Sequence, residues 1–347
     1  MRLFLTALLA GLFSPFHLFP QVQYPFPEGI FNTLSQYQPL HVIIETDFKE
    51  LRSGKEDEQW QPAVFKVLQG DSVALKLDVQ VAARGNMRKK NCDFPPVKIR
   101  FYDKEPEDDN IADINTLKLV TSCKDLPRNE EWVQREYLVY ELYNIITEQS
   151  FRVKSASIRF EDTKKEGRYQ ESFSFFIESQ KELATRLDGK IMKPRIGSIR
   201  SLDSVSYDRM CVFEYMIGNT DWSVHARHNI KLIFLAQTNM PVAIPYDFDY
   251  SAAVGTDYAA PNTDYYPIET VRDRYYLGSC RSEAHYRQIF DFYLSKEKEL
   301  MARCEQAGYL PDHARKEMIK YFNNFFEVLK NPNSAMREIV NHCDKAR

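Results

Sequence analysis

From about residue 39 the chain alternates apolar and polar positions with a period of two, the pattern of strands that bury one face. Residues 40–46 and 63–68 are short runs of this kind, and Val73, Leu75, Leu77, Val79 and Val81 alternate with Lys76, Asp78 and Gln80 in the longest one. That run stops at Arg84-Gly85-Asn86, a turn signal followed by the basic Arg88-Lys89-Lys90. Val97, Ile99 and Phe101 then alternate with Lys98 and Arg100, and beyond an acidic loop at 105–109 a further strand is predicted over 117–120. From Glu130 to about Ile146 the period changes. Trp132, Val133, Tyr137, Leu138, Leu142 and Ile145 form the stripe of a helix bordered by Glu136 and Glu141, with Glu130 and Glu131 in its first turn. Strands over 152–160 and 172–178 follow, and from Gln180 the pattern is mainly helical.

One stretch interrupts the helical half. An apolar helix over 205–217 stops at Gly218, and a polar loop carries Asp221, His225, His228 and Asn229. An apolar strand over 230–235, a turn over 237–241 and a second strand ending in Tyr246-Asp247-Phe248-Asp249 complete a hairpin. Taken singly, Asp and Asn beside Gly are ordinary turn formers. Together they place two carboxylates where apolar packing should continue, next to Asp221 and Asn229, and such a cluster is costly unless a cation or partner neutralises it. His225 and His228 lack helical metal-ligand spacing and are read as loop-positioning residues.

The switch from strands to helices between about 178 and 195 predicts an α+β, two-lobed fold: a β-rich lobe over 30–185, a helical lobe over 186–347, and a cleft between them. The chain has 347 residues, 44% of them apolar and 13% aromatic, enough for a sizeable core. A formal charge of −3 and a pI near 6.2 argue against nucleic acid as a partner. Residues 1–20 open with Met-Arg, run apolar from Leu3 to Phe13 and break at Ser14-Pro15. This reads as a secretory signal, too short for a stable membrane span, and places the protein outside the cytoplasm: periplasm, cell envelope or extracellular space. The six cysteines suit disulfides in an oxidising compartment, and Cys211, inside the apolar helix, is expected to be a free buried thiol.

The order of elements supplies what phosphoryl transfer needs: a turn over phosphates, a strand lysine reaching them, a helix glutamate holding that lysine, and acids for metal and acceptor. The turn candidates are Arg84 and Asn86; the lysine is Lys98 or Lys118; its partner is Glu136, with Glu141 second. Against this, a mid-strand lysine is more often on a wet sheet face, and a glutamate beside a helix stripe is more often a solvated flank.

These motifs, namely Arg84-Gly85-Asn86, Phe94-Pro95-Pro96-Val97-Lys98-Ile99-Arg100-Phe101, Arg135-Glu136-Tyr137, Gly218-Asn219-Thr220-Asp221-Trp222, His228-Asn229 and Ile244-Pro245-Tyr246-Asp247-Phe248-Asp249, together resemble the CotH family of exported atypical protein kinases. Residues 216–247 are also similar to the catalytic region of HipA-type serine/threonine kinases. The resemblance implies a bilobal protein-kinase-like fold that binds ATP with Mg²⁺ or Mn²⁺ and transfers the γ-phosphoryl to Ser or Thr of a protein substrate. It implies Asp221 as the catalytic Asp, Asn229, Asp247 and Asp249 as metal ligands, and Lys98 as the lysine after the turn. The position that a kinase catalytic loop gives to its Asn is Ala226 here, so the loop is longer than the pattern. Adenylyl transfer on the same scaffold is an alternative. So is an inactive envelope binding module, whose surface would use Tyr258, Tyr265, Tyr266, Tyr275 and Tyr276.

Overall fold

The computed structural model describes residues 26, 28–54, 57–85, 92, 94–102, 109–122, 124, 126–193 and 198–343. The signal-like segment 1–20, Asn86 and the basic run Arg88-Lys89-Lys90 lie outside the described residues. In chain order the elements are α1 (Ile30–Ser35), β1 (His41–Thr46), α2 (Phe48–Ser53), β2 (Gln61–Gln69), β3 (Ser72–Ala83), β4 (Val97–Arg100), α3 (Asp109–Ile114), β5 (Thr116–Val120), α4 (Pro127–Ile146), β6 (Val153–Asp162) and β7 (Tyr169–Ile177). They continue as α5 (Gln180–Arg186), β8 (Gly189–Ile191), α6 (Ser204–Ile217), β9 (Ile230–Leu235), β10 (Met240–Pro245), α7 (Glu283–Glu305), α8 (Asp312–Lys330) and α9 (Pro332–Glu338). Pro127 at the first position of α4, where a missing N–H costs nothing, starts that helix ahead of the acids at 130–131.

The α+β class holds, but the expected bilobal kinase-like fold is overturned. The first seven strands close into a barrel in the order β1-β2-β3-β4-β5-β7-β6, and a closed barrel is not the sheet roof over a cleft that a kinase fold requires. The closing seam is a parallel pairing of His41–Thr46 with Ser157–Asp162, while the other neighbours pair antiparallel. Period-two patterning tells which face of a strand is dry, not which strand lies beside it, so this seam is invisible in the pattern. Closure leaves the barrel without an edge strand and fills it with Val42, Ile44, Phe65, Val81, Ile99, Leu119, Ile158 and Phe176.

A second core gathers α4, the helices α6 to α9 and the small sheet β10-β9-β8. Helix α4 lies against the outside of β7, where Tyr137 and Tyr140 meet Phe175 with ring centroids 5.5 and 5.6 Å apart. Among the described residues no helix is long and apolar enough to cross a membrane.

Candidate functional site

A cavity of about 820 Å³ opens between the barrel and the β8–β10 sheet. Lys98 and Lys118 are direct partners on β4 and β5. Their neighbours Val97, Ile99, Leu117 and Leu119 are buried inside the barrel, so alternation turns both lysines outward onto the cavity wall with Arg84. Lys231 and Tyr246 line the cavity too, as do Asp221, His228, Asn229, Asp247 and Asp249.

The acids are delivered by two loops tied to one helix end. Helix α6 stops at Gly218, which takes a left-handed conformation (φ 67°) and donates its N–H to the Tyr215 carbonyl. A Cβ there would lie 2.2 Å from the Tyr321 Oη and 2.7 Å from the Ala252 Cβ, so glycine is needed for room as well as for φ. Next, Asn219 donates to the Glu214 carboxyl at 2.9 Å and accepts from the Asp221 N–H at 3.0 Å. The Asp221 carboxylate is held by His228 Nε2 at 2.9 Å and by Asn229 Nδ2 at 3.1 Å; Asn229 also donates to the Asp221 carbonyl. In the second loop Phe248 is fully buried against Tyr140 and Phe213, and this anchor holds its two flanking acids at the cavity. The Asp247 N–H donates to Tyr140 Oη at 2.9 Å, and Tyr258 Oη donates to Asp249 Oδ2 at 2.8 Å. Arg227, Asn229 and Asp247 all have positive φ (54°, 52° and 65°), a concentration of strained non-glycine backbone at one place.

Electrostatics divide the site into an acidic end and a basic wall. Burial pushes the Asp221 carboxyl up, the Asp249 charge adds to this, and His228 and Asn229 pull it back. On the basic wall, burial and the neighbouring Arg84 and Lys231 push the Lys118 ammonium down to about 8, while Asp247 opposes them. Burial and Arg227 lower Lys231 as well. Lys98 differs: it is paired with Glu58 at 2.8 Å and lies 5.0 Å from the centre of the Trp60 ring.

No protein-family model matches this chain, and no curated protein matches it. The chemistry of the site therefore rests on its own geometry.

Of the residues expected from sequence, Arg84, Lys98, Lys118, Asp221, Asn229, Asp247 and Asp249 line the one cavity. Glu136 does not; it is buried in α4 one turn before Tyr140, whose hydroxyl its charge pushes up along with burial. Glu141 lies elsewhere, binding Arg303 and Tyr309. His225 is exposed, whereas His228 has the positioning role foreseen for it. Sequence reasoning missed Lys231, Tyr246, Tyr140, Asn219 and Glu214. Lys231 carried a signal: it is the one charge in the apolar run 230–235.

Oxygen donors suited to a hard cation are present. Among the described residues no three His, Cys, Asp or Glu form a ready-made metal cluster. Asp247, Asp249 and the Asn229 amide oxygen are the donors available to a hard cation such as Mg²⁺, which takes few protein oxygens and completes its shell with phosphate oxygens and water.

Proposed function

We propose that this protein is a metal-dependent phosphotransferase that acts outside the cytoplasm, uses ATP as donor and takes a protein Ser or Thr hydroxyl as acceptor. The observation that carries this reading is the convergence, in one cavity, of an oriented aspartate, two further acids with an amide, and a wall of cations. Function resides in a site rather than in a fold, so the barrel does not weigh against it. The sequence resemblance to CotH and HipA-type kinases points the same way, and the disulfide Cys280–Cys343 suits an oxidising compartment.

In this reading Lys118 and Arg84 receive the donor phosphates, and Lys118 takes the lysine role because Lys98 is engaged by Glu58. Asp221 accepts a hydrogen bond from the acceptor hydroxyl and takes its proton as the oxygen attacks the γ-phosphorus, whose bond to the β–γ bridging oxygen breaks so that ADP leaves. His228 and Asn229 keep the carboxylate aimed, and the raised basicity that burial gives Asp221 favours the transfer. Asp247, Asp249 and Asn229 would hold the divalent cation, which neutralises charge on the transferred group. Val120, Phe151 and Ile177 give the cavity an apolar face for the nucleoside.

The test is thermal melting with Mn²⁺ and ATP, alongside transfer of label from the γ-position. A rise in melting temperature for the parent, absent in Asp247→Asn, and labelled protein are expected. No shift at millimolar ATP would move the protein to the binding-module reading. Label carried only from the α-position would show adenylyl transfer instead.

A further inference from the structure

Two lysines of the cavity come from different parts of the molecule, one from the barrel and one from the small sheet. Lys118 comes from the barrel strand β5 and Lys231 from the start of β9. Both lie near the one Tyr246 ring, their ammonium nitrogens 5.4 and 4.9 Å from its centre. Neither makes an ion pair among the described residues, although carboxylates are close enough for Asp247 to act on Lys118. Of the other cations lining the cavity, Lys98 is paired with Glu58, Arg227 donates to the Met192 carbonyl at 2.7 Å, and Arg84 and Lys181 share the same lining.

Two like charges lining one cavity repel, and both are partly stripped of water. That arrangement is unfavourable in the empty protein and becomes favourable when an anion lies between them. A single lysine would serve a lone phosphate. Two from separate sheets, both beside the Tyr246 ring, suit an anion with charged groups in tandem.

We propose that Lys118 and Lys231 form a two-lysine clamp for a chain of at least two phosphate groups, with Lys231 a ligand-binding residue in its own right. This rests on the phosphotransferase reading for its biological ligand, the tandem phosphates of a nucleotide. The clamp itself needs no metal and no acceptor. Because one lysine belongs to the barrel and the other to the small sheet, the ligand also ties the two parts of the molecule together.

The test uses inorganic pyrophosphate and orthophosphate as probes, in metal-free buffer with chelator, measured by calorimetry on the intact protein. Pyrophosphate is expected to bind at least tenfold more tightly than orthophosphate. Lys118→Gln and Lys231→Gln should each weaken pyrophosphate about tenfold or more, the scale of one charge-assisted contact. Lys231→Arg should retain binding, and Lys320→Gln, on the exposed face of α8, should change nothing. Melting curves accompany each variant. Equal affinity for the two anions, or parental pyrophosphate binding in Lys231→Gln, overturns the clamp. So does loss of binding in both the Gln and Arg variants with parental melting, which would assign Lys231 a role of shape rather than charge. Pyrophosphate binding without phosphoryl transfer would remove the enzymatic reading and leave the clamp standing, whereas transfer indifferent to Lys231 would do the reverse.

Discussion

Asp221 is the residue at which the proposed catalysis can be separated from folding. Its carboxylate is positioned by two side chains and accepts no backbone N–H of its own loop among the described hydrogen bonds, so it is not acting as a helix cap. Asp221→Ala is therefore expected to leave ATP affinity and melting temperature close to parental while phosphoryl transfer falls by about 10²–10⁴. Parental transfer, or a loss explained wholly by unfolding, would remove Asp221 from the reaction. Behind it, Glu214 is completely buried, and burial pushes its carboxyl up to about 8, with Asp221 adding to the rise and Asn219 opposing it. At neutral pH it is a neutral acid in the folded protein and a carboxylate in the unfolded chain. The native state thus holds a proton that the unfolded state releases between about pH 4.5 and 8. The stability Glu214 contributes is complete below 4.5 and is lost as pH rises through 8, with a limiting slope of about 1.4 kcal/mol per pH unit. Glu214→Gln, neutral at every pH, should show a shallower decline of unfolding free energy between pH 5 and 8. Parallel pH profiles for parent and variant would mean that Glu214 is ionised in the fold.

At the scale of elements, Gly218 is where helix, loop and hairpin are joined. Its carbonyl accepts the Ala252 N–H at 3.1 Å and the Ile217 carbonyl accepts that of Ala253, so the loop carrying Asp221 is pinned to the loop following Asp249. Gly218→Ala adds left-handed strain and drives a methyl into the Tyr321 hydroxyl and Ala252; a loss of about 2 kcal/mol or more is expected in denaturant unfolding. A loss of only a few tenths would show that the loops give way easily. This helix stop was legible from sequence, as were the strands that became β1 to β7 and the hairpin of β9 and β10, because each rests on local periodicity or a turn residue. The grouping of Asp221, Asn229, Asp247 and Asp249 was legible for the same reason, being set by one hairpin. What was hidden depends on contacts between distant segments. The parallel β1–β6 seam joins residues 41–46 to 157–162, and nothing in either stretch marks the other as its partner. Glu136 was read as a residue bordering an apolar stripe; α4 is packed on nearly every side, so its border residues are buried too. Lys231 was passed over as one charge in an apolar strand, and only the third dimension shows that it lines a cavity.

For the molecule as a whole, the cavity lies between two cores that pack independently, one inside the barrel and one among the helices. The helical core also supplies most of the site's acidic end, so anything that loosens it should be felt at Asp221 and Asp249. The disulfide between Cys280 and Cys343 fastens that core: it ties the loop entering α7 to the chain just beyond α9, across 63 residues of sequence. In the chain-entropy picture a closed loop of this length lowers the entropy of the unfolded state by an amount worth about 4 kcal/mol. The bond encloses both long helices, α7 and α8, so its stabilisation should appear in the helical core and not in the barrel. Replacing Cys280 and Cys343 together by Ser is expected to lower the melting temperature, and a reductant, which also opens the disulfide at Cys92, to lower it at least as far. Amide exchange in the Ser variant should quicken in α7 to α9 while protection in β2 and β3 stays parental. The buried free thiols Cys211 and Cys304 provide the control, since Ser at either position should leave the response to reductant intact. An unchanged melting temperature after full reduction would show that packing of Tyr286, Tyr293 and Phe325 against α6 holds the helical core without covalent help. Faster exchange spread evenly through barrel and helices would show that the two cores unfold as one, and that the cavity lies within a single cooperative unit.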